Sequence, residues 1–79
     1  MDSKIVGERI KGIMTIRNIG RKEMAEKIGI SYNTLTKKLN GKREFTYSEI
    51  LKIKEILKLN TGVYASILFD IDFMLEKNK

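Results

Sequence analysis

The sequence predicts an all-α domain, a compact bundle of about five short helices, on three observations. Proline is absent. Over most of the chain the apolar residues recur at spacings of three and four, the period of a helix with one buried face. Thr46 and Glu49, bracketed by the apolar Phe45 and Ile50, form the signature of a helix start, a capping box with a hydrophobic staple. With 79 residues the chain removes only roughly 60% of its unfolded surface from water, too little to divide between two cores. One domain over residues 1–68 is therefore expected, with residues 69–79 as an apolar arm ending in the polar "EKNK".

The first helix is expected over residues 4–17, where Val6, Ile10, Ile13 and Met14 make one stripe. Gly7 and Gly12 each cost about 1 kcal/mol there relative to alanine, so either a neighbouring element approaches closely or the helix frays. A second helix over residues 21–28 turns Met24, Ala25 and Ile28 inward, with Ile19 as a staple onto Met24 and Gly29 at the left-handed C-terminal position. Ser31 can cap a third helix running to Leu39, closed by Asn40-Gly41-Lys42, so that Gly29 and Ile30 alone make the connection. A fourth helix over residues 47–58 buries Ile50, Ile53 and Leu57 and leaves Lys52, Lys54, Glu55 and Lys58 facing water. The tail fits two periods. Tyr64, Ile67, Leu68, Ile71, Met74 and Leu75 make a helical stripe, while Ile67, Phe69, Ile71, Phe73 and Leu75 alternate with Asp70 and Asp72 as in a strand. The reading adopted is a short helix over residues 61–68 followed by an extended arm.

Composition narrows the function. Residues 1–60 carry fourteen basic and seven acidic side chains, a balance of +7, against two and three in residues 61–79, a balance of −1. A basic body implies a polyanionic partner, nucleic acid or an anionic membrane surface. The chain has no cysteine and no histidine, which removes disulfides, the usual zinc sites and histidine acid–base pairs. No catalytic residue, metal or cofactor is expected, and no small-molecule ligand. Charges interrupt every apolar run of the N-terminus and no apolar stretch approaches 18 residues, so neither a signal peptide nor a membrane span is expected, and the location is read as cytoplasmic.

Two short helices joined by a tight glycine-containing turn form a helix-turn-helix, whose second helix enters the major groove of DNA. On a wheel of residues 32–39, Leu35 and Leu39 share one side with Tyr32 at its edge; Asn33 and Lys37 point the opposite way, flanked by Thr34, Thr36 and Lys38. A polar helix face alone is ordinarily only a solvated one, so the preceding helix and turn carry the inference. The residue types fit it: Asn pairs in two-point fashion with adenine, Lys donates to guanine, and no carboxylate lies on the face. Tyr32 sits where an aromatic ring serves as core edge as readily as base reader.

The segment "RKEMAEKIGISYNTLTKKLNGK" resembles the core of the Cro and lambda-repressor-like family, the xenobiotic-response-element type of bacterial and phage regulators. The matching residues are Ala25, Ile28, Gly29, Ile30, Ser31, Leu35 and Asn40-Gly41-Lys42. "GERIKGI" and "FTYSEILKIKEILKL" are similar to the flanking helices, so the likeness covers roughly residues 5–59. The resemblance implies a short phage-type repressor that binds double-stranded DNA as a homodimer on a palindromic operator. By position it implies base contacts from Tyr32, Asn33, Thr36 and Lys37, and phosphate contacts from Arg21, Ser31, Thr34, Lys38, Asn40, Lys42 and Arg43. Two departures stand out. Arg21 occupies a place where glutamine is common, and Lys38 and Leu39 exchange the usual places of an apolar and a polar residue. In "ILFDIDFML" seven of nine residues are apolar, a surplus that marks an interface; Phe69, Ile71, Phe73 and Leu75 are the expected dimer contacts, or else fold back onto the core. The rival roles are the antitoxin of a toxin–antitoxin pair, its tail holding the toxin, and a helical protein-interaction module such as an antirepressor.

Overall fold

Four local signals in the sequence start or stop helices where the structure has them. The structure, a computed structural model, describes residues 3–60 and 62, and among these the helices are α1 (Ser3–Ile16), α2 (Arg21–Ile28), α3 (Tyr32–Leu39) and α4 (Tyr47–Ile56). The bounds of α2 and α3 are those expected. At the start of α3 the Ser31 hydroxyl accepts the Thr34 N–H; at the start of α4 the Thr46 hydroxyl accepts the Glu49 N–H while the Glu49 carboxylate accepts the Thr46 N–H. The expected fifth helix and the arm lie outside the described residues. No helix among the described residues is long and apolar enough to cross a membrane.

All four helices stop the same way. Asn18, Gly29, Gly41 and Lys58 take φ between +54° and +91°, and the residue after each donates its N–H to a carbonyl five positions back: Ile19 to Met14, Ile30 to Ala25, Lys42 to Lys37 and Leu59 to Lys54, at 2.9–3.1 Å. This is the Schellman closure, in which one left-handed residue satisfies carbonyls that the helix itself cannot. Glycine adopts that conformation at no steric cost at Gly29 and Gly41. Lys58 adopts it with a side chain, and α4 accordingly ends at Ile56, two residues short of expectation. Ile19 reaches the core margin as the residue after such a cap, packed against the buried cluster.

The core gathers Val6, Ile10 and Met14 of α1, Met24, Ala25 and Ile28 of α2, Leu35 and Leu39 of α3, and Phe45, Ile50, Ile53, Leu57 and Leu59 from α4 and its flanks. Ile13 is only partly buried against it. α3 packs on both α1 and α2, and α2 also on α4. Lys52, expected in water, sends its ammonium back to the Ile28 carbonyl at the end of α2, 3.2 Å away, where a cation also complements the helix dipole.

The two glycines of α1 have opposite settings. A Cβ on Gly7 would lie 2.1 Å from the Leu39 carbonyl oxygen, whereas one on Gly12 would meet nothing within 4 Å. The close approach is repeated at Gly41, whose Cβ would fall 2.5 Å from Lys4 Cα. α1 thus lies backbone to backbone on the C-terminal end of α3.

A buried ion pair holds the other side of α3. The Lys38 ammonium lies 2.5 and 2.6 Å from the two carboxylate oxygens of Glu49, and 6.0 Å from the centroid of the Phe45 ring. Burial pushes the Glu49 carboxyl up, but hydrogen bonds from Lys38 and the Thr46 N–H, with the Lys38 charge, outweigh it and hold the group below the ordinary value of 4.5. A carboxyl with a folded value below its unfolded one releases its proton more readily in the native state. The stability it confers is present above about pH 4.5 and is lost as pH falls through the folded value.

Two predictions follow from this packing. Gly7→Ala should cost about 2–3 kcal/mol, because the obstacle is backbone and cannot rotate aside; Gly12→Ala should gain up to about 1 kcal/mol of helix propensity. Opposite shifts of the urea midpoint check the pair, and equal shifts would show that α1 does not rest on α3 as described. Between about pH 5 and 3, wild-type stability should fall more steeply than that of Lys38→Met/Glu49→Gln. Urea titrations at several pH values decide it, parallel curves counting against a native-state role for the charged pair.

Candidate nucleic-acid interface

α2, the Gly29-Ile30-Ser31 connection and α3 form a helix-turn-helix. The turn is fixed from both ends: Gly29 (φ +91°) and Ile30 donate their N–H groups to Ala25, while Ser31 caps α3. Leu35 and Leu39 are completely buried. At about 1.5–3 kcal/mol for each fully buried leucine, they seat a helix otherwise made of polar residues.

Asn33 and Lys37 are fully on the solvent side of α3, and Tyr32 is half-exposed at 51%. These three bring an amide, an ammonium and a phenol to one outward face, and α3 carries no carboxylate. Thr36 does not join them: it is half-buried, and its hydroxyl is covered without a hydrogen-bond partner among the described residues. Thr34 is better placed than its burial suggests. The Ser31 hydroxyl donates to Thr34 Oγ1 at 2.9 Å while accepting the Thr34 N–H at 3.0 Å. Ser31 is therefore committed as a cap, and the Thr34 hydroxyl keeps its own proton to give outward.

Lys38 is a correction. The wheel set it beside the exposed face as a phosphate contact, but it is 5% exposed and its ammonium is spent on Glu49. A phosphate would have to break that pair and leave the Glu49 carboxylate buried without its cation. The remaining expected phosphate contacts sit around the motif's rim. Arg21 is half-buried at the first position of α2, and Asn40, Lys42 and Arg43 are exposed in the loop that leaves α3. Phe69, Ile71, Phe73 and Leu75 lie outside the described residues.

Lys11 belongs to this rim and escaped the sequence reading. Its ammonium donates to Asn40 Oδ1 at 3.3 Å across from α1. An ammonium has only donors, so it faces the oxygen of the amide and leaves the NH2 edge of Asn40 toward solvent, two donors suited to a phosphate oxygen. The signal was present but faint: Lys11 follows Gly7 by one helical turn, on the side where α1 meets α3.

Comparison with known proteins agrees with this geometry. No curated protein matches the chain. Residues 9–62 match the family of Cro/C1-type HTH DNA-binding domains, a span that runs from within α1 to beyond the end of α4. With more than half its length inside that match, the chain belongs to the Cro/C1-type helix-turn-helix DNA-binding domains.

Proposed function

We propose that this DNA-binding domain is a sequence-specific transcriptional regulator, a Cro-type repressor of a phage or prophage, acting in the cytoplasm by occupying a palindromic operator as a homodimer and excluding polymerase. The observation that carries the reading is the outward face of α3, where Asn33 and Lys37 stand exposed on a helix anchored by two completely buried leucines. In the major groove an asparagine amide matches adenine N6 and N7, and a lysine ammonium matches the guanine acceptors O6 and N7. Tyr32 enters first, at the N-terminal end of the helix, where ring and hydroxyl can meet a base edge or its methyl group. Thr34, Asn40 with Lys11, Lys42, Arg43 and Arg21 hold the phosphates on either side and set the register of the helix without reading sequence. The proposed dimer uses Phe69, Ile71, Phe73 and Leu75 of the apolar tail and spaces two copies of α3 by one turn of DNA.

Gel-shift titrations test it. Affinity for duplex DNA should fall by about 10³-fold or more between about 50 and 200 mM salt if some six phosphates are neutralised; binding that ignores salt, or none, refutes the proposal. Asn33→Ala should cost about 1–3 kcal/mol on cognate DNA and relax preference at one base position. Equal losses on cognate and random DNA would remove Asn33 from base reading. Lys42→Ala should weaken all sequences alike and lower the salt slope by about one.

A further inference from the structure

We infer that Lys38 and Glu49 are positioning residues for DNA reading: their buried pair fixes the rotation of α3 about its own axis, and so decides which side chains face the bases. The inference rests on the reading of α3 as the recognition helix.

The leucine stripe by itself leaves that rotation loosely defined. Leu35 and Leu39 are one turn apart and lie within about 40° of each other around the helix, a narrow keel on which an eight-residue helix could roll with little loss of burial. Lys38 is off the keel, about 60° round from Leu35 and 100° from Leu39. Burying it widens the inward arc of α3 on one side only. The outward centre then falls on Asn33 and Lys37; Thr36 flanks the keel on the opposite side, about 60° round from Leu39, where its hydroxyl is covered as well.

The partner is suited to hold that angle. Glu49 receives the Lys38 ammonium on both oxygens and the Thr46 N–H at 2.8 Å on one of them. The carboxylate is thereby tied into the first turn of α4 rather than carried on a free rotor. Phe45 lies beneath the ammonium, which adds a directional contact from the same connection. A side-chain tip about 6 Å from the helix axis moves roughly 2 Å for a roll of about 20°. That exceeds the width of about 0.5 Å over which hydrogen-bond distances are found. Small changes in roll therefore erase base contacts while leaving flexible lysines and arginines within reach of phosphates. Lys38, a polar residue, stands inside because it has a partner inside.

The test uses Lys38→Met/Glu49→Gln, in which methionine fills the lysine's volume and glutamine keeps the capping bond to the Thr46 N–H. A second variant, Lys38→Gln/Glu49→Gln, keeps a neutral hydrogen bond between the same two positions. The probes are a duplex selected from a randomised pool by the wild-type protein and a pooled random duplex, each titrated at two salt concentrations beside a melting curve. The expected result for the methionine variant is a folded protein whose affinity for the selected duplex falls at least about tenfold, that is about 1.4 kcal/mol. Its affinity for random duplex should change less than about threefold, with the salt slope unchanged. The glutamine pair should keep most of the discrimination. Undiminished affinity of the methionine variant for the selected duplex overturns the inference, leaving the pair a structural one. Equal losses on both duplexes with a slope lower by about one also overturn it, since Lys38 would then be a phosphate contact. Failure of the wild-type protein to select any sequence is a distinct result and strikes the reading of α3 itself.

Discussion

The fold depends first on a place where two backbones touch. At Gly7 there is no side chain between α1 and the end of α3, and the Leu39 carbonyl occupies the position that a Cβ would need. Gly41 repeats the arrangement from the other partner, beneath the start of α1 at Lys4. Together they bring the C-terminal end of α3 onto α1 as closely as packing allows. Two consequences reach the side proposed to face DNA: the loop that carries Asn40, Lys42 and Arg43 leaves α3 from a fixed point, and Lys11 comes within hydrogen-bond distance of Asn40. α1 is thus the platform of the motif, although most of its own surface is turned elsewhere.

Apolar burial and the polar pair divide the remaining work on α3. Leu35 and Leu39 supply the transfer free energy that keeps the helix on the core. A buried lysine–glutamate pair is a poor source of net stability, because the desolvation of two charges offsets most of their attraction. Its value lies in direction. Methylene groups tolerate many packings, whereas an ammonium bound to both oxygens of a carboxylate, itself tied to the Thr46 N–H, tolerates few. Glu49 accordingly serves two elements at once, closing the capping box at the start of α4 and orienting α3.

What could be read in advance followed the range of the physics involved. Ser31, Gly29 and the Thr46–Glu49 box act within one turn of themselves, so the bounds of α2 and α3 and the start of α4 were legible from neighbouring residues. The end of α4 was not, because Lys58 takes a left-handed conformation that its residue type does not announce. Gly7 and Gly12 look alike in sequence; only the position of Leu39, some thirty residues on, separates a required glycine from a replaceable one. Lys38 failed for the same reason. A helical wheel scores each side chain against water, and Glu49 eleven residues later changes the sign of that score. The outward placement of Asn33 and Lys37 was legible because two leucines a turn apart are enough to say which way is out.

The narrowness of that outward face bears on the number of copies needed. α3 is eight residues long, and once Lys38 and the Thr36 hydroxyl are turned inward, the groups that can make two-point contacts with bases reduce to Asn33 and Lys37. Each good contact of that kind discriminates by about 1–3 kcal/mol, so one copy commands roughly 2–6 kcal/mol. Specific DNA-binding proteins separate their sites from bulk DNA by about 4–10 kcal/mol. A single α3 reaches only the lower part of that range, and phosphate contacts cannot extend it because every sequence offers them equally. Two copies on one duplex double the discrimination and cover the range. The economy of the interface is thus an argument for the proposed two-fold assembly: a recognition helix held this firmly, with so few readers, would gain specificity by repetition.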